Sequence, residues 1–264
     1  MAEQIISPGV FQNENVPVAL EAAAAPIGAA IIGPSVKGPI GIPTYCTTYT
    51  DYKQKFGGSI VSGGIEYSYF TNISAQNYFK QGGTNLLVTR VASGSHTFTA
   101  ATSSAVVSGS DQGSGDNNIF VLQTISEGDN QNSTSTETTG GALPSGSSDN
   151  LRWEITNVDS GSGIFTLNIR QGNDRTSDKI ILETFRGVSL DPKRDDYIAK
   201  VIGNQIFSIG VDGSDSYVDI TGEYPNKSKY VVVKEVKKTT PDYLDGAGNF
   251  KSEFTSSLPK AQSG

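Results

Sequence analysis

The single cysteine, Cys46, and the single histidine, His96, set the limits of the chemistry this chain of 264 residues can carry. One thiol excludes an internal disulfide, and one Cys with one His cannot form a zinc site without recruiting many carboxylates. A Ser-His-Asp triad would have to pass through His96, which lies in the small polar stretch Ala92-Ser93-Gly94-Ser95-His96-Thr97 and reads as an exposed loop histidine. Any two of Glu154, Asp178 and Glu183 could meet in a cleft as paired carboxylates for glycoside hydrolysis, but nothing distinguishes them from solvated strand residues. Asp212, Asp215 and Asp219 resemble a sparse calcium loop, yet the glutamate and glycine positions of an EF-hand are missing, so a Gly-Ser hairpin turn is the better reading. Gly33-Pro34-Ser35-Val36-Lys37-Gly38-Pro39 lacks Gly-Lys-Ser/Thr, and its prolines remove N–H donors a phosphate cradle needs, which leaves a rigid loop. Trp153 opens a strand-like run and reads as a core anchor; only an exposed position would make it a carbohydrate platform. No catalytic residue, metal or cofactor is expected.

The charge balance narrows the partners. Lys and Arg number 20 against 27 Asp and Glu, a net charge of −7. Nucleic-acid binding rests on clustered cations, and the densest group, Lys234, Lys237 and Lys238, has Glu235 among it. No apolar run approaches the roughly 20 residues of a membrane span, and Met1-Ala2-Glu3-Gln4 lacks the basic start of a secretory signal. The glycosylation-type tripeptides at Asn72, Asn132 and Asn226 therefore read as coincidental, and no membrane partner is expected.

Several elements must position whatever the chain presents. Residues 1–25 read as an extended arm: Ile5-Ile6-Ser7-Pro8-Gly9-Val10-Phe11, then Val16-Pro17-Val18-Ala19-Leu20. A lone extended segment cannot satisfy its own backbone N–H and C=O groups, so it must pair with its own domain or with the sheet edge of another chain. Residues 26–93 read as a small α/β layer. Ala29–Gly33 has the continuous apolar run of a buried strand, Thr44–Tyr49 is β-prone, and Thr50 could cap a helix from Asp51 to Phe56 that Gly57-Gly58 would end. The spacing of Ile65, Tyr69, Ile73, Phe70 and Phe79 predicts an amphipathic helix over 66–81 with Gly82-Gly83 as its stop, and a strand follows over 85–91. Residues 94–240 read as a β-rich domain, sandwich- or barrel-like. Its strand runs are 119–125, 152–158, 164–170, 179–185, 205–211, 217–220 and 229–236, with one helix over 195–202 ended by Gly203. Within it, 126–150 reads as a long loop with almost no apolar side chain beyond Ala142 and Leu143. Residues 241–264 read as a linker without a closing hydrophobic element.

Two blocks of residues resemble a known family. Ile6-Ser7-Pro8-Gly9-Val10-Phe11, Ala29–Gly33 with Lys37-Gly38-Pro39, Tyr52 with Phe56-Gly57, and Gly82-Gly83 leading into Leu87–Val91 are similar to the N-terminal part of bacteriophage contractile-tail sheath proteins. A second block, Leu182 to Pro192 with Tyr197–Ile202, is similar to the segment that follows the outward-facing β insertion of that family. Together they cover roughly residues 4–93 and 178–210.

The resemblance implies a sheath subunit that stacks helically around a tail tube and contracts to drive the tube through a host envelope for genome delivery. It implies neighbouring sheath subunits, a tail tube protein, and baseplate and tail terminator proteins as partners, and a place in the virion after assembly in the host cytoplasm. Ile5, Ile6, Val10 and Phe11 would contact a neighbouring protomer by strand addition, with hinges at Gly9 and Pro17. The 26–93 layer would be part of a core domain, 94–240 its insertion, and the core's C-terminal half would lie beyond Gly264. The overall expectation is an α+β chain of arm, α/β layer and inserted β-rich domain. Competing readings are the sheath of a bacterial contractile injection system, a carbohydrate- or receptor-binding β module, and a hydrolase.

Overall fold

The computed structural model describes residues 28–92, 106–107, 118–125, 138–143 and 150–263. These residues are mostly β-sheet with a few helices, an α+β mixture. The first unit runs β1 (Ala29–Gly33), β2 (Thr44–Cys46), α1 (Tyr49–Phe56), β3 (Ser59–Ser62), β4 (Ile65–Ser68), α2 (Phe70–Lys80) and β5 (Leu86–Arg90). The β1 strand pairs parallel with β5, while β2 pairs antiparallel on its other side, so the sheet order is β1-β5-β2.

Alternation along these strands decides which sheet face is covered. Ala29 and Ile31 lie level with Leu86 and Val88, and with Cys46 they face the helices, meeting Tyr52, Phe56 and Ala75 in one core. Helix α1 starts two residues earlier than the sequence predicts. Its cap is Thr48, not Thr50: the Thr48 hydroxyl accepts from the Asp51 N–H at 3.1 Å, and Tyr49 is thereby drawn into the helix. Gly57 ends it as expected.

The helix predicted over 66–81 is a strand followed by a shorter helix. Gly63 and Gly64 both have positive φ (60° and 78°), the two-residue turn that matches strand twist, so 59–68 folds as the β3–β4 hairpin and α2 begins only at Phe70. The apolar stripe is corrected as well. Helix α2 buries Thr71, Asn72 and Ala75 and packs Tyr78 and Phe79 on the core, whereas Phe70 is 86% exposed and Ile73 is also exposed.

The second unit contains β6 (Val106–Val107), β7 (Asn118–Thr124), β8 (Leu151–Asp159), β9 (Ile164–Gln171), β10 (Ile181–Ser189), α3 (Ile198–Ile202), β11 (Ile206–Asp212), β12 (Asp215–Thr221) and β13 (Val231–Val236). A 3-10 turn (Ser252–Ser257) and β14 (Gln262–Ser263) follow. Two antiparallel sheets, β10-β9-β8-β14 and β13-β7-β6, share one hydrophobic core, and β11-β12 is a separate ribbon. Leu151, Trp153 and Ile155 from β8, Phe165, Leu167 and Ile169 from β9, and Phe120, Leu122, Val231 and Val233 from the other sheet supply the core, which Ile198 and Ile202 of α3 complete. Burial of each such side chain stabilises the fold by about 1.5–3 kcal/mol relative to exposure. Phe120 and Phe165 stack across it with centroids 5.9 Å apart. Helix α3 is shorter than predicted, starting at Ile198, and Gly203 ends it by donating to Ala199 O.

After Pro241 the chain does not run free within the described residues. The buried Tyr243 donates its hydroxyl to Ser160 O at 2.6 Å, its ring stacks on Phe254, Leu258 is buried, and β14 adds to the edge of β8. The sequence reading of 241–264 as lacking any closing hydrophobic element missed this docking because its anchors are three isolated apolar side chains.

Candidate assembly surface

Several of the residues singled out in the sequence are engaged in structure. Trp153 is only 2% exposed and lies in the core, so the stacking platform of a carbohydrate site is not present there. Glu154 accepts from Lys179 Nζ at 2.6 Å, and Glu183 accepts from the Ser228 hydroxyl (2.6 Å) and the Lys229 N–H (2.9 Å), joining β10 to the segment before β13. Asp178 is exposed in the turn after β9, bridged through its backbone to Arg175, so the structure does not bring the three carboxylates together as a pair facing a cleft. Asp212 and Asp215 flank the turn that joins β11 to β12, which is the hairpin expected from Gly213-Ser214. Lys234 and Lys237 are exposed on or just past β13. Cys46 is fully buried, and burial, its largest cause, pushes the thiol up to about 12. His96 and Asn132 lie outside the described residues, as do Ile5, Ile6, Gly9, Val10, Phe11 and Pro17.

One charged cluster went unrecognised in the sequence. Residues Arg152, Glu154, Thr166, Asn168 and Arg170 form the second face of strands β8 and β9, and this polar face is buried too. Asp174, in the turn after β9, accepts from Arg152 Nη1 (3.0 Å), Arg170 Nε (2.7 Å), Arg170 Nη2 (2.9 Å) and the Ile180 N–H (3.0 Å). Arg152 also reaches Gly141 O, and Thr176 N–H donates to the same carbonyl, so the cluster pins the 138–143 segment to the sheet. The signal for it was present as the alternation Arg-x-Glu and Asn-x-Arg on adjacent strands. Its charged groups pair with one another, and it is a structural clasp.

What the first unit presents outward is apolar. Ala30, Ile32, Leu87, Thr89 and Tyr45 occupy the sheet face opposite the helices, with Ile32 74% and Tyr45 62% exposed. The outer edges of β1 and β2 pair with no further strand among the described residues. A parallel strand pair is normally buried on both faces, and this sheet is covered on one. Phe70, Ile73 and Val91 add exposed apolar area nearby in sequence. Exposed apolar area of this extent is the kind of surface on which another segment or protein packs. Between this unit and the β-rich unit lies an open cleft of about 1420 Å³, lined by Ile40, Ile42, Pro43 and Tyr45 on one wall, Phe207 and Ile209 of the ribbon on another, and Lys227, Lys229 and Lys234.

No protein-family model matches the chain, and no curated protein matches it in sequence. Among solved structures, the sheath tail protein of Desulfitobacterium hafniense is similar at 13% identity and a TM-score of 0.25, over 86% of this chain and 39% of that one. The chain thus spans about two fifths of that protein's length, and at this TM-score the likeness does not establish a common fold. Among the described residues no helix is long and apolar enough to cross a membrane.

Proposed function

We propose that this chain is a structural subunit of a contractile tail sheath, acting by self-assembly and not by catalysis. The observation that carries the proposal is the sheet β1-β5-β2, apolar on its exposed face and, among the described residues, unpaired along both outer edges. A surface of that kind needs a protein partner to be stable. The similarity of residues 4–93 and 178–210 to sheath proteins supports the same reading.

In this reading the two units are rigid bodies and the N-terminal residues are tethers. Ile5, Ile6, Val10 and Phe11 pair with a neighbouring protomer, and Gly9 and Pro17 lie at the joints. Main-chain ladders then keep subunits connected while their bodies rotate during contraction. The further partners are the tail tube, the baseplate and the tail terminator, and the assembled location is the virion.

Negative-stain electron microscopy of the protein from its complete reading frame, beside a form lacking residues 1–25, tests this. Helical tubes from the former and dispersed particles from the latter are the expected result. Dispersed particles from both, even with inner tube protein added, would overturn it. Capsid and terminase genes nearby would assign the sheath to a phage; their absence would move it to a bacterial injection device.

A further inference from the structure

The β11–β12 ribbon has an apolar face that its own molecule covers only in part. Register places Phe207, Ile209 and Val211 of β11 on the same face as Ile220 and Val218 of β12. All five are between 42% and 67% exposed. A two-stranded ribbon is marginal by itself, and one with an apolar face needs cover. Within the molecule, Ile209, midway along β11, approaches Gly41, where an added Cβ would lie 2.5 Å from Ile209 Cδ1, so the middle of the ribbon touches the α/β unit, whereas a Cβ added to Gly213 at the tip would meet nothing within 4 Å.

Charge supplies the second argument. From Asn204 to Asn226 the chain carries Asp212, Asp215, Asp219 and Glu223 and no Lys or Arg. The next twelve residues carry Lys227, Lys229, Lys234, Lys237 and Lys238 against Glu235 alone. At the ribbon tip Asp212 and Asp215 are direct cross-strand partners, a like-charge pair that costs stability. Among the described residues neither they nor Asp219 form an ion pair, and Lys227, Lys229 and Lys234 form none either, although all three lysines line the cleft.

We propose that the β11–β12 ribbon of one copy docks in the cleft of a second copy. The tip carboxylates Asp212 and Asp215 meet Lys227, Lys229 and Lys234 of that second copy, and Val211, Val218 and Ile220 cover the apolar wall of Ile40, Ile42, Pro43 and Tyr45. Donor and acceptor are different patches, so the contact is heterologous. Repetition of such a contact propagates a ring or a helix and does not close as a two-fold dimer. The inference rests on the self-assembly reading and adds to it a second contact, independent of the N-terminal residues.

Charge reversal tests it on the full chain. One variant carries Asp212→Lys with Asp215→Lys, which keeps the tip a like-charge pair and so leaves ribbon folding comparable. A second carries Lys227→Glu with Lys234→Glu, and a third combines all four. Sedimentation velocity over a range of concentrations and salt reads the outcome, with circular dichroism confirming equal folding. The expected result is salt-sensitive association of the parent chain, weakened about tenfold or more in each two-site variant and restored in the combined one. A 1:1 mixture of the two two-site variants should associate less than the combined variant, because only half of its possible encounters match. Unchanged association in both two-site variants, while the complete protein still forms tubes, would overturn the ribbon contact and leave the self-assembly reading standing. A parent chain that stays monomeric at every concentration and salt would overturn the ribbon contact; absence of tubes from the complete protein as well would overturn both.

Discussion

Arg152 and Arg170 stand directly opposite one another on β8 and β9, two fully buried guanidiniums on the same face of one sheet. Like charges placed so would drive the strands apart. The Asp174 carboxylate lies between them and uses both oxygens to hold both arginines and a backbone N–H. The turn after β9 is therefore fixed by electrostatics as much as by hydrophobic packing.

Asp174→Ala leaves two buried cations without their shared anion and should cost about 3–5 kcal/mol. Urea denaturation should show a lower midpoint with an unchanged slope. A loss below 1 kcal/mol would mean that water reaches the guanidiniums.

Lys179→Ala is the matched control. Its ammonium pairs with Glu154 at 2.6 Å, but its side chain is 34% exposed, so the pair is screened and the change should cost no more than about 1 kcal/mol. Glu154 retains Arg170 Nη1 at 3.6 Å. The same denaturation measurement separates this small loss from the large one at Asp174.

The α/β unit should weaken in alkali. Burial raises the Cys46 thiol from 9.0 to about 12 and raises the Tyr52 phenol as well, so both groups hold their protons more tightly when folded. The unfolded chain deprotonates first, which makes the stabilisation complete below about pH 9 and progressively lost as pH rises toward 12. Urea midpoints measured from pH 8 to 11 should fall, and Cys46→Ala should flatten part of that fall. Ellman's reagent should label the native thiol no faster than the unit opens.

Gly163→Ala should loosen the C-terminal segment. Gly163 has φ of 73°, and an added Cβ would lie 2.6 Å from the Tyr243 ring. Backbone strain and the displaced ring together should cost about 1–3 kcal/mol. Limited proteolysis should then cut after Lys251 or Lys260 earlier than in the parent chain.

The strands were legible in the sequence wherever one period dominated. Ala29–Gly33 matches β1 residue for residue, and most of the β-rich runs lie within two residues of their strands, because continuous or alternating apolar residues leave little choice. The α2 region was misread for a physical reason. Ile65, Tyr69 and Ile73 fall at helical spacing, but Gly63-Gly64 turns the chain before the helix can begin, and a two-residue turn outranks a three-point periodicity. The second buried face of β8 and β9 was hidden because Arg and Glu ordinarily mark solvent. Only the tertiary placement of Asp174 makes them tolerable inside. The bare sheet face could be foreseen only through the resemblance, since Ile32 and Tyr45 look like core residues in any local window.

The parallel pairing of β1 with β5 also sets a timetable. Ala29 finds its partner in Leu86, whereas β11 and β12 meet across a two-residue turn. The ribbon can zip within microseconds of its synthesis, while β1 must wait for the whole unit to be made. At about 5–20 residues per second, the intervening chain takes a ribosome roughly 3–12 s to deliver. Throughout that interval Ala-Ala-Ile-Ile-Gly is an unpaired apolar strand outside the exit tunnel, which makes it a segment a nascent-chain chaperone would hold.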